Sequence, residues 1–350
     1  MKEIKNKALV ILMMGANADY CEDKSFESEY DIARKTWASL LPDDVLLVYY
    51  DGGQYKETKT EDDGSNCMKL HLPCDDDMKW TFKKTWMAYK WVEENVMPKW
   101  TFRTNTSTYV NVDNLMKFIT DYADSGTVYA SDIYSLSEAC TPWPLCLYPR
   151  GNGILLHHDL MKETIINRGM MFAFQGICDD IVIGNLLNSW FIQRYPNDKY
   201  YDRVKGLPHG WYKCVDQKFD NGHQLSKYGD DDIYYSTLIT ITVKKYRERE
   251  KEEQHYLELH QKVLKDKDAT RQINNHVELH GVDYPEIRPD EKWLEYMSNP
   301  SIFIGSILGY ISKDEWKKMD KNELYFLEIS HKASDDEQHW VHKEIQGKNI

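Results

Sequence analysis

From Lys7 to Gly15 the chain reads Lys-Ala-Leu-Val-Ile-Leu-Met-Met-Gly, an apolar run with no alternation. A run of that length and character predicts a parallel strand buried on both faces. Between Glu27 and Leu41 the period changes: Tyr30, Ala33, Trp37, Leu40 and Leu41 recur at helical spacing, predicting an amphipathic helix stopped by Pro42. Val45 to Tyr50 predicts a second apolar strand, followed by a tight turn at Asp51-Gly52-Gly53. Residues 54–67 are polar and read as a mobile connection. Met78, Phe82, Trp86, Tyr89 and Val92 mark a second helix, preceded by Asp75-Asp76-Asp77. An acidic triplet there is read as capping the helix and complementing its dipole, in preference to holding a metal. Trp100 and Phe102 alternate with polar neighbours as in a half-buried strand, which Asn105-Thr106-Ser107-Thr108 ends before a helix start between Val112 and Ile119.

Strand, helix, strand, helix, strand is the order of a nucleotide-binding α/β half, in which ligands sit at the carboxyl edge of the strands. Downstream, Val128 to Ile133 and Ile154-Leu155-Leu156 predict strands, Pro142-Trp143-Pro144 an irregular connection, and Asp159 to Asn167 a helix. Within Asp230 to Val243, the β-branched run Leu238 to Val243 predicts the strand that closes this domain, placed at residues 1–245. Residues 246–350 then read as a small, mostly helical C-terminal extension. It opens with a charged helix from Tyr246 to Lys267, carrying Tyr256, Leu257, His260 and Leu264 on one stripe. Trp293, Tyr296 and Met297 follow at helical spacing, and Ile302 to Ile311 is an apolar run interrupted by Gly305 and Gly309. There is no internal repeat.

Composition narrows the function more than the fold. A formal charge of −13 over 350 residues argues against a general phosphate-backbone binder, so nucleic acid is a disfavoured partner. Eleven Trp and 24 Tyr suit stacking on sugar faces, although core packing accounts for most aromatics in any domain. Seven cysteines without dense spacing make neither a disulfide framework nor a Cys-x-x-Cys zinc site, which points to a reducing compartment. Ala8 to Met14 is too short for a membrane span and lacks a cleavage site, so the expectation is a cytoplasmic chain or a piece of something longer.

The segment Arg103-Thr104, then Tyr109-Val110-Asn111-Val112-Asp113-Asn114-Leu115, resembles the strand and helix start that carry the Asp-x-Asp motif in glycosyltransferase family 31, the β-1,3-galactosyltransferase and Fringe group. Four further stretches are similar in the same order: Ala33-Arg34-Lys35-Thr36-Trp37, the helix Thr81 to Val92, Tyr148 to Leu156 with Gly151 and Gly153, and Cys178 to Leu187. The resemblance covers roughly residues 7 to 190. It implies a GT-A (nucleotide-diphospho-sugar transferase) fold with a mixed central sheet. It also implies transfer of a hexose or N-acetylhexosamine from a UDP-sugar to an acceptor hydroxyl on a glycan or glycoconjugate, with inversion. Two alternatives stand beside it, a carbohydrate-binding pseudoenzyme of the same fold and a transferase acting on a modified DNA base.

The resemblance also assigns roles. Asp180 matches the catalytic base, with Asp179 in reserve, whereas the bland reading of paired acids at a helix start is capping. A base of this kind gains from partial burial, which raises its pKa toward neutrality. Where the family has Asp-x-Asp, this chain has Asn105-Thr106-Ser107, so the carboxylates that would hold Mn or Mg are missing. The diphosphate would then depend on Arg34, Lys84, Arg103 and Arg150, on hydrogen bonds from Asn105, Thr106 and Ser107, and on close backbone approach at Gly151 and Gly153. Arg34 could equally cap its own helix, and His209, in the turn Gly206 to Trp211, could sit near the diphosphate or in solvent. The expected transferase is metal-independent or weakly metal-assisted.

Overall fold

A computed structural model describes residues 4–17, 25–64, 66–76, 80–123, 129–136, 146–169, 173, 179–194, 204–211, 238–243 and 252–267. Strand β1 (Leu9–Met14) lies between β2 (Val45–Gly52) and β5 (Trp100–Asn105), both parallel to it. β4 (Cys67–Leu72) extends the parallel set past β2, and β3 (Lys59–Asp62) closes that side antiparallel. On the other side β8 (Cys146–His157) runs antiparallel to β5, followed by β7 (Tyr129–Leu136) and the short β9 (Val204–Gly206). The order is β3-β4-β2-β1-β5-β8-β7-β9, the mixed central sheet of an α/β protein. A second sheet of three short strands joins β10 (His209–Trp211), β11 (Thr240–Thr242) and β6 (Thr108–Val110).

Helices cover both faces: α1 (Ser25–Lys35) with a 3-10 turn at Trp37–Leu40, α2 (Thr81–Asn95), α3 (Val112–Ala123), α6 (Asp179–Arg194) and α7 (Glu252–Lys267). Between β8 and α6 the chain makes α4 (His158–Leu160), a π-turn (Met161–Ile166) and α5 (Asn167–Gly169). The period-2 alternation of the strands divides the core. Val10, Leu12, Leu46, Val48 and Tyr50 face α2 and α6, packing on Phe82, Tyr89, Val182, Ile183 and Leu187. Leu9, Ile11, Met13, Leu47, Tyr49 and Phe102 face α1, α3 and α7, packing on Tyr30, Trp37, Leu115, Tyr256 and Leu259. Each such burial of a large apolar side chain contributes roughly 1.5–3 kcal/mol before entropy is charged against it.

Four expectations change. β5 is buried on both faces, because the alternating Thr101 and Arg103 are covered by α2, α6 and the π-turn. The polar stretch 54–67 contains β3, which its composition disguised, and β4 follows with Met68, Leu70 and Leu72 turned into the core. Asp76 does not cap α2: its carboxylate is paired with Lys84, and Trp80 stands at the N-cap with no side-chain bond. The buried stripe of α7 is His255, Tyr256, Leu259 and Val263, whereas Leu257 is exposed. α7 packs into the same core as α1 and α3. Trp293, Tyr296, Met297 and the run Ile302 to Ile311 lie outside the described residues, as do Pro142-Trp143-Pro144 and Tyr234-Tyr235.

Cys67 and Cys74 are buried thiols and form no disulfide. Burial pushes their pKa up, to about 11 and about 12. Among the described residues no helix is long and apolar enough to cross a membrane.

Candidate active site

The chain runs outward from β1 to β2 and β4, then returns through α2 to β5 on the opposite side of β1. The strand order therefore reverses between β1 and β5, and the crevice outside their carboxyl ends is where open α/β sheets bind ligands. In register, Met14 pairs with Tyr50 on one side and Asn105 on the other, so these three residues mark the rim.

Arg103, two residues before the tip of β5, is directed by the alternation toward α2 and α6. Its Nη2 lies 2.6 Å from Asp179 Oδ2 at the start of α6, and its Nη1 donates to the Gly151 carbonyl at 2.5 Å. Thr85 of α2 donates to the same Asp179 oxygen at 3.0 Å and lies 2.8 Å from the Tyr50 hydroxyl. β5 and α2 thus converge on one carboxylate of α6, with β2 and β8 bonded behind them. Burial alone would lower the Arg103 pKa, but Asp179 and the other groups around it hold it above the ordinary guanidinium range. Asp180, the next residue, is half-buried. Burial pushes its carboxyl up to about 7, with the neighbouring Asp179 charge adding and Arg103 opposing.

Lys84, the residue before Thr85 on α2, reaches the end of β1. Its ammonium donates to the Gly15 carbonyl at 2.6 Å and pairs with buried Asp76, whose other oxygen accepts from the Asn17 backbone N–H. Farther along the same rim, His71 Nδ1 lies 2.8 Å from Asp51 Oδ1. The bond to Asp51 raises the His71 pKa against the opposing effect of burial. Sequence alone assigns no site role to Asp51, His71 and Thr85, and it reads Asp76 as a helix cap. Only the parallel register of β1, β2 and β4 brings them to one edge.

The tip of β5 alternates as a strand would. Asn105 and Ser107 are half-buried, and between them Thr106 turns inward, donating to Glu29 of α1 while its carbonyl accepts from the Tyr256 hydroxyl of α7 at 3.0 Å. Thr106 ties helices to the sheet instead of presenting its hydroxyl at the rim. Asn105 Oδ1, Arg103 Nε and both amide atoms of Asn152 are buried without a protein partner. Such groups cost about 1–3 kcal/mol each unless water or a ligand bonds them.

The glycines of β8 have a different reason from close approach to a ligand. A Cβ on Gly151 would lie 2.6 Å from Arg103 Nη1, and one on Gly153 2.9 Å from the Phe102 ring, so both make room for β5 side chains. Arg150 pairs with Asp132 across the bulge of β7, Nε to Oδ2 at 3.6 Å. Arg34 is not brought to this group. It bonds the Asp63 carbonyl at 2.7 Å and the Asp63 carboxylate at 3.1 Å, beside Cys67, which pairs with Leu47 three residues short of the rim residue Tyr50. His209 has its backbone in β10 opposite Thr240, which faces Val110, at the end of β6 away from Ser107.

Asn105, Thr106 and Ser107 make a poor donor set for the divalent cation that the family's Asp-x-Asp would hold. Mg and Mn take carboxylate and other hard oxygens. The turn supplies a carboxamide and a hydroxyl, Thr106 faces away, and Asp179 is held by Arg103. Among the described residues no group of three or more His, Cys, Asp or Glu side chains is placed to hold a metal.

No protein-family model and no curated protein matches the chain. Among solved structures it is similar to a glycosyltransferase involved in the glycosylation of the major capsid of PBCV-1, with 11% identity and a TM-score of 0.34, over 71% of this chain and 99% of that one. It is also similar to the glycosyltransferase GlyE in Streptococcus pneumoniae TIGR4, with 11% identity and a TM-score of 0.33, over 77% of this chain and 67% of that one. At such scores the structures share an arrangement of elements too loosely for residues to be carried across.

Proposed function

We propose that the chain is a nucleotide-sugar-dependent glycosyltransferase, moving a hexose or N-acetylhexosamine from a UDP-sugar to an acceptor hydroxyl on a glycan or glycoconjugate. Asp180 is the base: it takes the acceptor proton as the oxygen attacks the anomeric carbon with inversion and the nucleoside diphosphate leaves. The observation that carries this reading is a half-buried carboxyl, raised to about 7, beside the strand-order reversal where an α/β sheet binds nucleotides. A base with that pKa is part-ionised at neutral pH and still accepts a proton readily. The unpartnered carboxamide oxygen of Asn105 adds a hydrogen-bonding group at the strand tip. In this reading the transferase works without a metal, and its diphosphate is held by backbone amides and hydrogen bonds at the rim.

One observation favours a second reading, a carbohydrate-binding protein without catalysis. Each of the four cations expected to hold the diphosphate has a carboxylate within 4 Å: Arg34 with Asp63, Lys84 with Asp76, Arg103 with Asp179 and Arg150 with Asp132. One experiment separates the two. The purified chain is incubated with a panel of UDP-sugars, with and without excess chelator, and free UDP is measured. The transferase releases UDP from one donor at a rate that chelator leaves unchanged, and Asp180→Asn slows it by about 10²–10⁴-fold. Glycan binding with no UDP release from any donor establishes the second reading instead.

A further inference from the structure

Asp179 and Asp180 are neighbours in the chain, yet they are held differently. Asp179 is 4% exposed, and one of its oxygens takes both Arg103 and Thr85. Asp180 is half-buried and accepts the Ile181 backbone N–H at 2.8 Å. Arg103 is 1% exposed, bonds the Gly151 carbonyl through Nη1, and shares Nη2 between Asp179 and the Met14 sulfur at 3.2 Å, so its guanidinium is turned into the protein and away from the crevice. Replacing a buried ion pair by apolar groups is often neutral for stability, so stability alone does not account for this one.

We propose that Arg103 and Asp179 are positioning residues for the base: together they pin the first turn of α6 to the end of β5 and set a fixed anion beside Asp180. The inference rests on the reading of Asp180 as the base. Arg103 is thereby removed from the diphosphate and Asp179 from the choice of base.

The groups that face Asp180 are few. Among the described residues, Asp179 on its own helix and Arg103 on β5 are the charged side chains that act on it most strongly. Tyr50 of β2 and Tyr89 of α2 share the Arg103 pocket, and burial keeps both phenols neutral. Arg150 of β8 is paired with Asp132, and Glu163 of the π-turn accepts from Trp190 at 2.7 Å. An ionised Asp179 raises the proton affinity of Asp180, and the cation behind it limits the rise. Arg103 and Thr85 both bond the same Asp179 oxygen, which fixes where that carboxylate sits relative to Asp180.

Opposite responses follow from the two partners. With the full chain labelled at aspartate carboxyl carbons, the Asp180 signal is assigned by its loss in Asp180→Asn and followed by NMR against pH. Asp179→Asn is expected to lower the Asp180 titration by roughly 1 unit, and Arg103→Gln to raise it. Thr85→Val, a milder change, raises it slightly, and Thr85→Ser restores the wild-type value. Circular dichroism reports the fold of each variant. A loosened helix would move both charge variants the same way, so shifts of one sign, or an Asp180 titration unchanged in Thr85→Val, overturn the proposal. UDP release measured on the same samples keeps the two readings apart: opposite shifts without hydrolysis of any donor leave the pair standing and remove the transferase.

Discussion

Gly15 shows how a single position can be committed. A Cβ there would lie 2.1 Å from the Tyr49 ring, whose hydroxyl donates to the Ala16 carbonyl at 3.0 Å. Gly15→Ala therefore displaces a buried ring that anchors the turn after β1, and it is expected to cost about 1–3 kcal/mol in urea denaturation. Asp180 gives a second expectation at this scale. Folded, its carboxyl keeps the proton up to about 7, against 3.8 for an ordinary one. The native state therefore binds more protons than the unfolded chain between those values, and stability falls as pH rises through that window. Asp180→Asn should flatten this fall in denaturation midpoints taken from about pH 4 to pH 7. The acidic pair at the helix start could be read from the sequence because paired acids before a helical run are a local pattern. The partners of that pair could not, since Arg103 and Thr85 sit on two other elements and meet Asp179 only through the packing of α2 and α6 on the sheet.

At the scale of elements, periodicity was legible where a single face is buried, and misleading where it is not. α2 follows its apolar spacing, whereas α1 ends at Lys35 and the rest of its expected span turns as a 3-10 helix with Leu40 exposed. β3 carries Lys-Thr-Glu-Asp, all exposed, and no hydrophobic pattern can announce a strand whose only support is its ladder to β4. α7 has apolar residues enough for two stripes, and contact with α1 and Tyr109 selects the one through Tyr256, Leu259 and Val263. Leu259 is fully buried, so Leu259→Ala is expected to destabilise the chain by about 2–5 kcal/mol, whereas Leu257→Ala on the exposed side leaves the melting temperature nearly unchanged. Equal effects from the two would mean that α7 is not docked through this stripe.

Across the whole molecule, the strand order explains why the rim residues come from distant parts of the chain. The reversal between β1 and β5 gathers Lys84, Arg103, Asp179 and Asp180 at one edge, and leaves Arg34 behind on the side of Asp63. The same order leaves β3 as the outermost strand, with its polar groups facing water and the acids Glu61 and Asp62 along it. An unpaired ladder of that kind would template growth of cross-β fibrils if it were apolar, and charge is what makes it a poor seed. Glu61→Val with Asp62→Val should accordingly shorten the lag of thioflavin-positive aggregation in concentrated samples. Such an outcome would tie the charge along the outer margin of the sheet to how densely this protein can be crowded before it self-associates.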